Sequence, residues 1–108
     1  MRIQSSLEFY SDAGLWFIDT ACDPSDALIC DQAVQEVTEQ LITQGPTEHE
    51  LAITQDHLRS RILIEEDDLE AGMEHLAHDV IYCNQPISLE DRIMQLSEVS
   101  ISDIQRVF

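Results

Sequence analysis

The β-like and the helical apolar patterns of this sequence occupy separate parts of the chain. Residues 3–22 are the only β-like region: Ile3, Leu7 and Phe9 share one parity, and the turn signal at 11–14 separates them from a second apolar run. Two such runs joined by a short turn that contains Gly form a hairpin. The remaining apolar residues recur every three or four positions, which is typical of helices. The sequence therefore predicts an α+β fold in which an antiparallel hairpin is followed by about five helices.

Capping residues mark where these helices begin and end. Ser, Thr and Asp accept hydrogen bonds from the first backbone N–H groups of a helix, and an acidic residue three positions later completes a capping box. The acidic run at 65–68 interrupts the helical pattern and predicts a break there. The predicted starts are Asp23 with Pro24, Thr47 with Glu50, Ser88 with Asp91, and Ser100 with Asp103; the predicted ends are Gln44 before Gly45-Pro46, Asn84 as a left-handed C-cap, and Glu98.

Two apolar stripes are the candidates for the hydrophobic core of one partial domain, residues 1–108. The three cysteines fit a C-x-x-C motif nowhere, and we interpret them as small buried hydrophobic residues, with a bridge between Cys22 and Cys30 as the alternative. The stripes are Ala27, Cys30, Val34, Val37 and Leu41 in the first helix, and Leu69, Met73, Leu76, Ala77, Val80 and Ile81 in a later one.

The charge of the chain excludes some partners. Asp and Glu number 22 against 5 Lys plus Arg, which gives a formal net charge of −17. So negative a chain is repelled by phosphate backbones and by anionic membrane surfaces, and we expect neither nucleic acid nor membrane as a partner. There is no apolar run long enough for a membrane span, and the first six residues lack the apolar core of a secretory signal. We expect a soluble protein, cytoplasmic by default, or periplasmic if a longer precursor exists.

Short segments along nearly the whole chain resemble one family of zinc peptidases. Tyr10–Trp16, followed by Asp23-Pro24, is similar to the Y-S-D-T-G-L-F turn and the D-P helix start of the pitrilysin-type (insulinase) zinc peptidases. Four later segments continue the resemblance in the same order; residues 47–51, 74–77, 86–90 and 102–107 are similar to T-E-E-E-L, E-R-L-A, P-I-S-L-E and E-D-V-R-R-V.

The resemblance implies a particular place in such an enzyme. It is to the C-terminal part of the second lobe, which does not bind zinc. Domains of this family pack helices on an antiparallel sheet, and two lobes enclose a chamber in which a peptide is cut. The resemblance thus implies that this chain would supply an edge hairpin and most of a helical layer, while a different lobe would hold the zinc.

The zinc motif of the family, H-x-x-E-H, is absent from this sequence. In that motif two His bind the metal and the Glu is the general base. The nearest segment, His75-Leu76-Ala77-His78-Asp79, has His where the base belongs and Asp in place of the second His. The second lobe's own Arg and Tyr, in a segment of the R-E-x-x-G-L-A-Y kind, have no counterpart before Tyr10, because Arg2 lacks the surrounding motif. We assign no catalytic residue and no cofactor; His75, His78 and Asp79, with Glu74, are the nearest metal candidates.

Other chemistries have less support in the residues. A nucleophilic Cys83 with His78 or His57 is conceivable, but Cys83 ends an apolar stripe and fits packing better. The run 65–68 could hold Ca²⁺, yet it lacks the Gly turn of a calcium loop, so we interpret it as a solvated bend. His49 and His57 lack a partner at ligand spacing and are interpreted as surface residues.

These observations lead to three functional hypotheses. The first is a non-catalytic lobe fragment of a pitrilysin-type zinc peptidase, not an enzyme on its own, which forms chamber wall and supports a zinc-bearing lobe; its acidic surface would suit basic peptides. The second is a free-standing acidic interaction module that pairs with a second copy through its hairpin edge or its helical layer. The third is an acidic metal-binding protein that uses His75 and His78.

Overall fold

The computed structural model describes residues 2–108 and confirms the α+β class. A two-stranded antiparallel hairpin is followed by a short 3₁₀ turn, Pro24–Asp26, and five α-helices. The described residues fall into two compact units, the hairpin unit, which ends at Gln40, and the helical unit, Leu41–Phe108. The single partial domain stays a prediction. The elements are β1 (Arg2–Phe9), β2 (Gly14–Ala21), α1 (Ala27–Gln44), α2 (Glu48–Glu65), α3 (Leu69–Cys83), α4 (Leu89–Glu98) and α5 (Ile101–Val107).

The hairpin forms in the predicted place because its turn closes locally. The backbone N–H of Tyr10 donates to the carbonyl of Ala13 at 2.8 Å, and the strands pair so that Leu7 lies opposite Trp16. The Trp16 indole N–H donates across the pair to Ser5 Oγ at 2.7 Å. Side chains at alternate positions share a face, so one face of the sheet is mainly apolar.

The predicted caps are present at three helix starts. Thr47 with Glu50 forms a complete capping box at α2, and Ser100 with Asp103 forms one at α5. Ser88 Oγ accepts the backbone N–H of Asp91 at the start of α4. Local sequence therefore fixes where these three helices begin.

Asp23 occupies the predicted N-cap position before Pro24, but the helical turn that it begins differs from the prediction. Its side chain makes no capping hydrogen bond, and α1 begins only at Ala27. The Asp23 carbonyl instead accepts the backbone N–H of Asp26 at 2.9 Å, which closes a 3₁₀ turn before the helix. Asp23 therefore starts a turn and not the α-helix itself.

Two residues with left-handed backbones end helices as predicted. Gly45 follows α1 with φ of 70°, and Asn84 follows α3 with φ of 60°. The expected break after α2 is also present: residues 66–68 form a turn, and Asp68 caps α3 by accepting the N–H groups of Glu70 and Ala71. The sequence patterns did not predict that cap.

Replacing Gly45 with Ala should destabilise the helical unit by about 1–2 kcal/mol, because a β-carbon is strained at positive φ. That β-carbon would also lie 2.8 Å from Gln105 Nε2 of α5. Urea unfolding measures the change. Gly72→Ala is the matched control, because nothing lies within 4 Å of its β-carbon inside α3, and it should stabilise by about 0.5–1 kcal/mol. Equal effects of the two variants would contradict a strained backbone at Gly45.

The expected buried core is not formed by the described residues. They include no fully buried apolar side chain, and Asp79 alone among them is buried, at 3% exposure. The α1 stripe meets the sheet at an open apolar cleft of about 190 Å³, and Val37 there stays exposed. The α3 stripe is exposed along its length. The prediction of two buried stripes is therefore wrong for this chain taken alone, because neither unit covers its own stripe.

The cysteines depart from the buried positions predicted for them. Cys22 and Cys30 are half-buried, Cys83 is exposed, and no disulfide joins any of the three. The hydrogen bond between the Cys30 thiol and the Cys22 side chain favours the protonated thiol and raises the pKa of Cys30. The two thiols therefore contact each other without a bridge in this structure.

No helix in the described part of the chain is both long and apolar enough to cross a membrane.

Candidate functional site

A buried charge pair at the centre of the helical unit ties α3 to α4. Asp79 of α3 is buried, and its Oδ2 accepts hydrogen bonds from Arg92 Nη2 and, at 3.1 Å, from the backbone N–H of Ile87. Arg92 is a quarter exposed. The carboxylate thus fixes both the helix α4 and the connection that leads into it.

Beside this pair lies a cleft of about 350 Å³ between α2, α3 and α4, and its lining includes Glu65, His75 and Asp79. Glu65 lines it, and its carboxylate accepts a hydrogen bond from Arg61 Nε at 2.8 Å. The other oxygen of Glu65 lies 3.7 Å from His75 Nε2. One oxygen of Glu65 is therefore held by Arg61, and His75 lies near the other.

The three nearest metal candidates do not share a partner in this cleft. His75 faces Glu65, whereas the His78 ring lies 4.7 Å from the ring of Tyr82 in its own helix. Asp79 is engaged by Arg92 and Ile87. Among residues 2–108 there is no group of three or more His, Cys, Asp or Glu arranged to hold a metal ion. That this chain supplies no zinc ligand stays a prediction.

The remaining candidates lie on the surface. His49 and His57 are exposed, as predicted. Cys83 is exposed at the end of α3 and was expected to pack inside. The run 65–68 forms the end of α2 and a turn, and Asp68 is engaged as the cap of α3.

Two carboxylates that cap helices have pKa values below their ordinary values. The backbone and side-chain hydrogen bonds from Thr47 lower the pKa of Glu50, and those from Ser100, side chain first, lower the pKa of Asp103. A hydrogen bond to the ionised carboxylate favours the charged form. Both carboxylates serve helix starts, which makes their lowered pKa values structural.

Glu50→Gln should reduce the acid sensitivity of the chain. The folded pKa of Glu50 lies below its ordinary value, so its contribution to stability is complete above about pH 4.3 and is lost as the pH falls through the folded pKa. Gln keeps the capping geometry without a titrating group. Chemical unfolding between neutral and strongly acidic pH should give a shallower fall for the variant. Glu36→Gln, on the exposed surface of α1, is the control; an equal change in that variant would contradict the assignment.

Sequence reasoning missed two interactions of the helical unit. The only indication of the pair between Asp79 and Arg92 in the sequence is that a charged residue, Asp79, lies among the apolar residues of the α3 stripe. The second is Gln55 of α2, whose Nε2 donates at 3.1 Å to the carbonyls of both Leu96 and Val99. The Leu96 carbonyl also accepts the backbone N–H of Val99 at 3.4 Å, and the Gln55 side chain joins α2 to this end of α4.

Comparison with known proteins relates the chain to zinc proteases. It is 23% identical over 105 residues to proteins of Mycobacterium tuberculosis and Mycobacterium bovis, each named as an uncharacterized zinc protease; the match covers 97% of this chain and 24% of each relative. A protein of Mycobacterium leprae with the same description is 24% identical over 102 residues, which is 94% of this chain and 23% of that protein. No family model matches the chain. The chain spans about a quarter of the length of these relatives.

Proposed function

We propose that this chain is a non-catalytic part of a zinc protease, which forms chamber wall and supports a zinc-bearing lobe supplied by a different segment or chain. The extent of the match carries this role: nearly all of the chain corresponds to a quarter of proteins that are named zinc proteases. The resemblance to the C-terminal part of the second pitrilysin-type lobe supports the finer proposal that the chain belongs to that part of such a protease.

The uncovered apolar surface supports a role inside a larger assembly. The α3 stripe is exposed, and so are Val37 of the α1 stripe and Leu7 and Phe9 on the apolar face of the sheet. Exposed apolar patches mark interaction sites in many proteins. A chain that works as one part of a chamber would bury this surface against its neighbours.

The acidic surface gives the chamber a preference among peptides. With a net charge of −17, the chain would attract basic peptides over the distance of a Debye length. Peptide binding to the assembled protease should therefore weaken as salt is added. Binding that does not change with salt would remove the preference for basic peptides and leave the structural role in place.

Peptidase assays on the purified chain test the absence of its own catalysis. With and without added Zn²⁺, the chain should release no more product from a mixed peptide library than buffer does. Hydrolysis that a chelator abolishes, and that follows the chain through purification, would overturn the proposal. If such hydrolysis is observed, the His75→Ala variant tests whether the nearest metal candidate is responsible for it.

A second candidate function is a homodimer that pairs through the hairpin. It is favoured by the sheet, which consists of β1 and β2 alone among the described residues and leaves one edge of each strand without a neighbouring strand. Such edges invite pairing with another chain, and a two-stranded sheet is marginal by itself. Light scattering at increasing concentration decides: a mass that doubles favours the dimer, and a constant monomer mass rejects it.

A further inference from the structure

Helix α3 packs within the helical unit through its polar side. Ala71 and His75 are half-buried and Asp79 is buried; spaced four apart, they lie on one side of the helix. From this side His75 faces Glu65 of α2, and Asp79 pairs with Arg92 of α4. A surface helix usually turns its apolar stripe towards the core of its own unit. Helix α3 does the reverse.

The apolar residues of α3 form a continuous stripe on its outer side. Leu69 is 86% exposed, Met73 72%, Leu76 51% and Val80 50%. We call these four residues the outer stripe. Their spacing of four, three and four residues is the spacing of the seam along which one helix packs against another. The outer stripe therefore has the pattern of a helix-binding surface.

The charges beside the outer stripe are acidic. Glu70 and Glu74 are exposed next to it, and α3 contains neither Lys nor Arg. Asp79, the third acidic residue of the helix, is already paired with Arg92. In the heptad pattern of the outer stripe, Glu70 lies at a position that flanks the apolar residues, where charge selects the partner helix. A second copy of this helix would bring only more negative charge to that flank.

We propose that the outer stripe is the docking surface for an amphipathic helix of a partner chain whose apolar seam is flanked by Lys and Arg. The apolar residues of the two helices would pack against each other along their length. The basic residues that flank the partner's apolar seam would favour that partner over a second copy of this chain. The inference deepens the proposed function, on which it rests for the existence of a partner, and it names the surface and the chemistry that the partner would present.

A synthetic helix serves as the probe, with the full chain as the receptor. The peptide carries Leu at seam positions and Lys at flanking positions, and spans about three heptads, so that it is long enough to form a helix. A second peptide has the same seam and Glu at the flanks. Fluorescence anisotropy should show binding of the Lys peptide that weakens with salt, and at least about tenfold weaker binding of the Glu peptide. Equal binding of both peptides would overturn the basic partner.

Matched methionine variants locate the surface. Met73→Glu places a charge in the outer stripe and should weaken binding of the Lys peptide at least about tenfold. Met94→Glu makes the same change on α4, at a methionine that is 52% exposed, and should leave the affinity unchanged. Circular dichroism verifies that both variants stay folded. Equal affinities for the two variants would contradict docking at the outer stripe.

Two further measurements distinguish the basic partner from a second copy of the chain, and the docking surface from the protease role. If the unmodified chain dimerises and Met73→Glu makes it monomeric, the stripe belongs to a second copy and the basic partner is wrong. If the purified chain proves to be a protease by itself, the proposed function fails, while the affinities for the two peptides still decide the docking surface independently, because that measurement involves no zinc and no hydrolysis.

Discussion

Replacing Arg92 with Met is expected to lower the free energy of unfolding by about 3–5 kcal/mol, because it leaves a buried carboxylate without its counter-charge. Asp79 is 3% exposed, so little water reaches its carboxylate in the folded chain. The same carboxylate also accepts the backbone N–H of Ile87, so its disturbance should loosen the entry into α4. Urea unfolding followed by circular dichroism measures the change.

Two controls show whether charge burial is the cause. Arg106→Met removes a cation from an exposed pair with Asp103 in α5, and should cost less than about 1 kcal/mol. The double variant Asp79→Asn with Arg92→Met removes both charges but keeps an oxygen for Ile87, and should recover part of the loss. If Arg92→Met unfolds the chain altogether, recovery by the double variant still tests the pair. Equal costs of Arg92→Met and Arg106→Met would contradict it.

Replacing Gln55 with Leu is expected to lower the free energy of unfolding by about 0.5–1.5 kcal/mol, because it removes a side-chain donor to two carbonyls at the end of α4. Gln55 is half-buried and bonds to Leu96 and Val99 at 3.1 Å each. The loss should be accompanied by faster hydrogen exchange in α4 than in α2, since the interaction holds the end of α4 against its neighbour.

The matched control for this variant is Gln35→Leu. The Gln35 amide donates to Asp31 one turn earlier, on the exposed side of α1, a local interaction worth about 0.2–0.5 kcal/mol. Similar costs for Gln35→Leu and Gln55→Leu would show that Gln55 does not join α2 to α4 in solution.

Local signals account for the parts of the fold that the sequence predicted. Thr47 and Ser100 are each followed three residues later by a carboxylate, and both capping boxes are present. Asn84 adopts the left-handed backbone expected of a C-cap. Such interactions join residues within a few positions of one another, so the sequence contains everything needed to recognise them.

Interactions between distant residues were not predictable in the same way. Asp79 and Arg92 are separated by a turn and a helix start, and no periodicity joins them. Gln55 lies more than 40 residues from the carbonyls it binds. These contacts determine which side of α3 faces inward. The spacing of apolar residues such as Leu69 and Met73 predicted that the apolar side would face inward, whereas the polar side does so.

The candidate site shows the same difference between what local spacing predicts and what contacts with other helices determine. The sequence singled out His75, His78 and Asp79 for their spacing, but the structure directs His75 to Glu65 and Asp79 to Arg92. Spacing along one helix indicates which side chains are neighbours, whereas the contacts made by other helices decide what those side chains do.

The most direct test of the central claim is reconstitution with a zinc-bearing chain of the same organism, recognised by H-x-x-E-H. Chelator-sensitive peptidase activity of that chain is measured while this chain is added in increasing amounts. We predict activity that rises and saturates at equal amounts of the two chains, with none from this chain alone. Activity that does not change on addition, or that this chain shows by itself, would contradict the proposed supporting role.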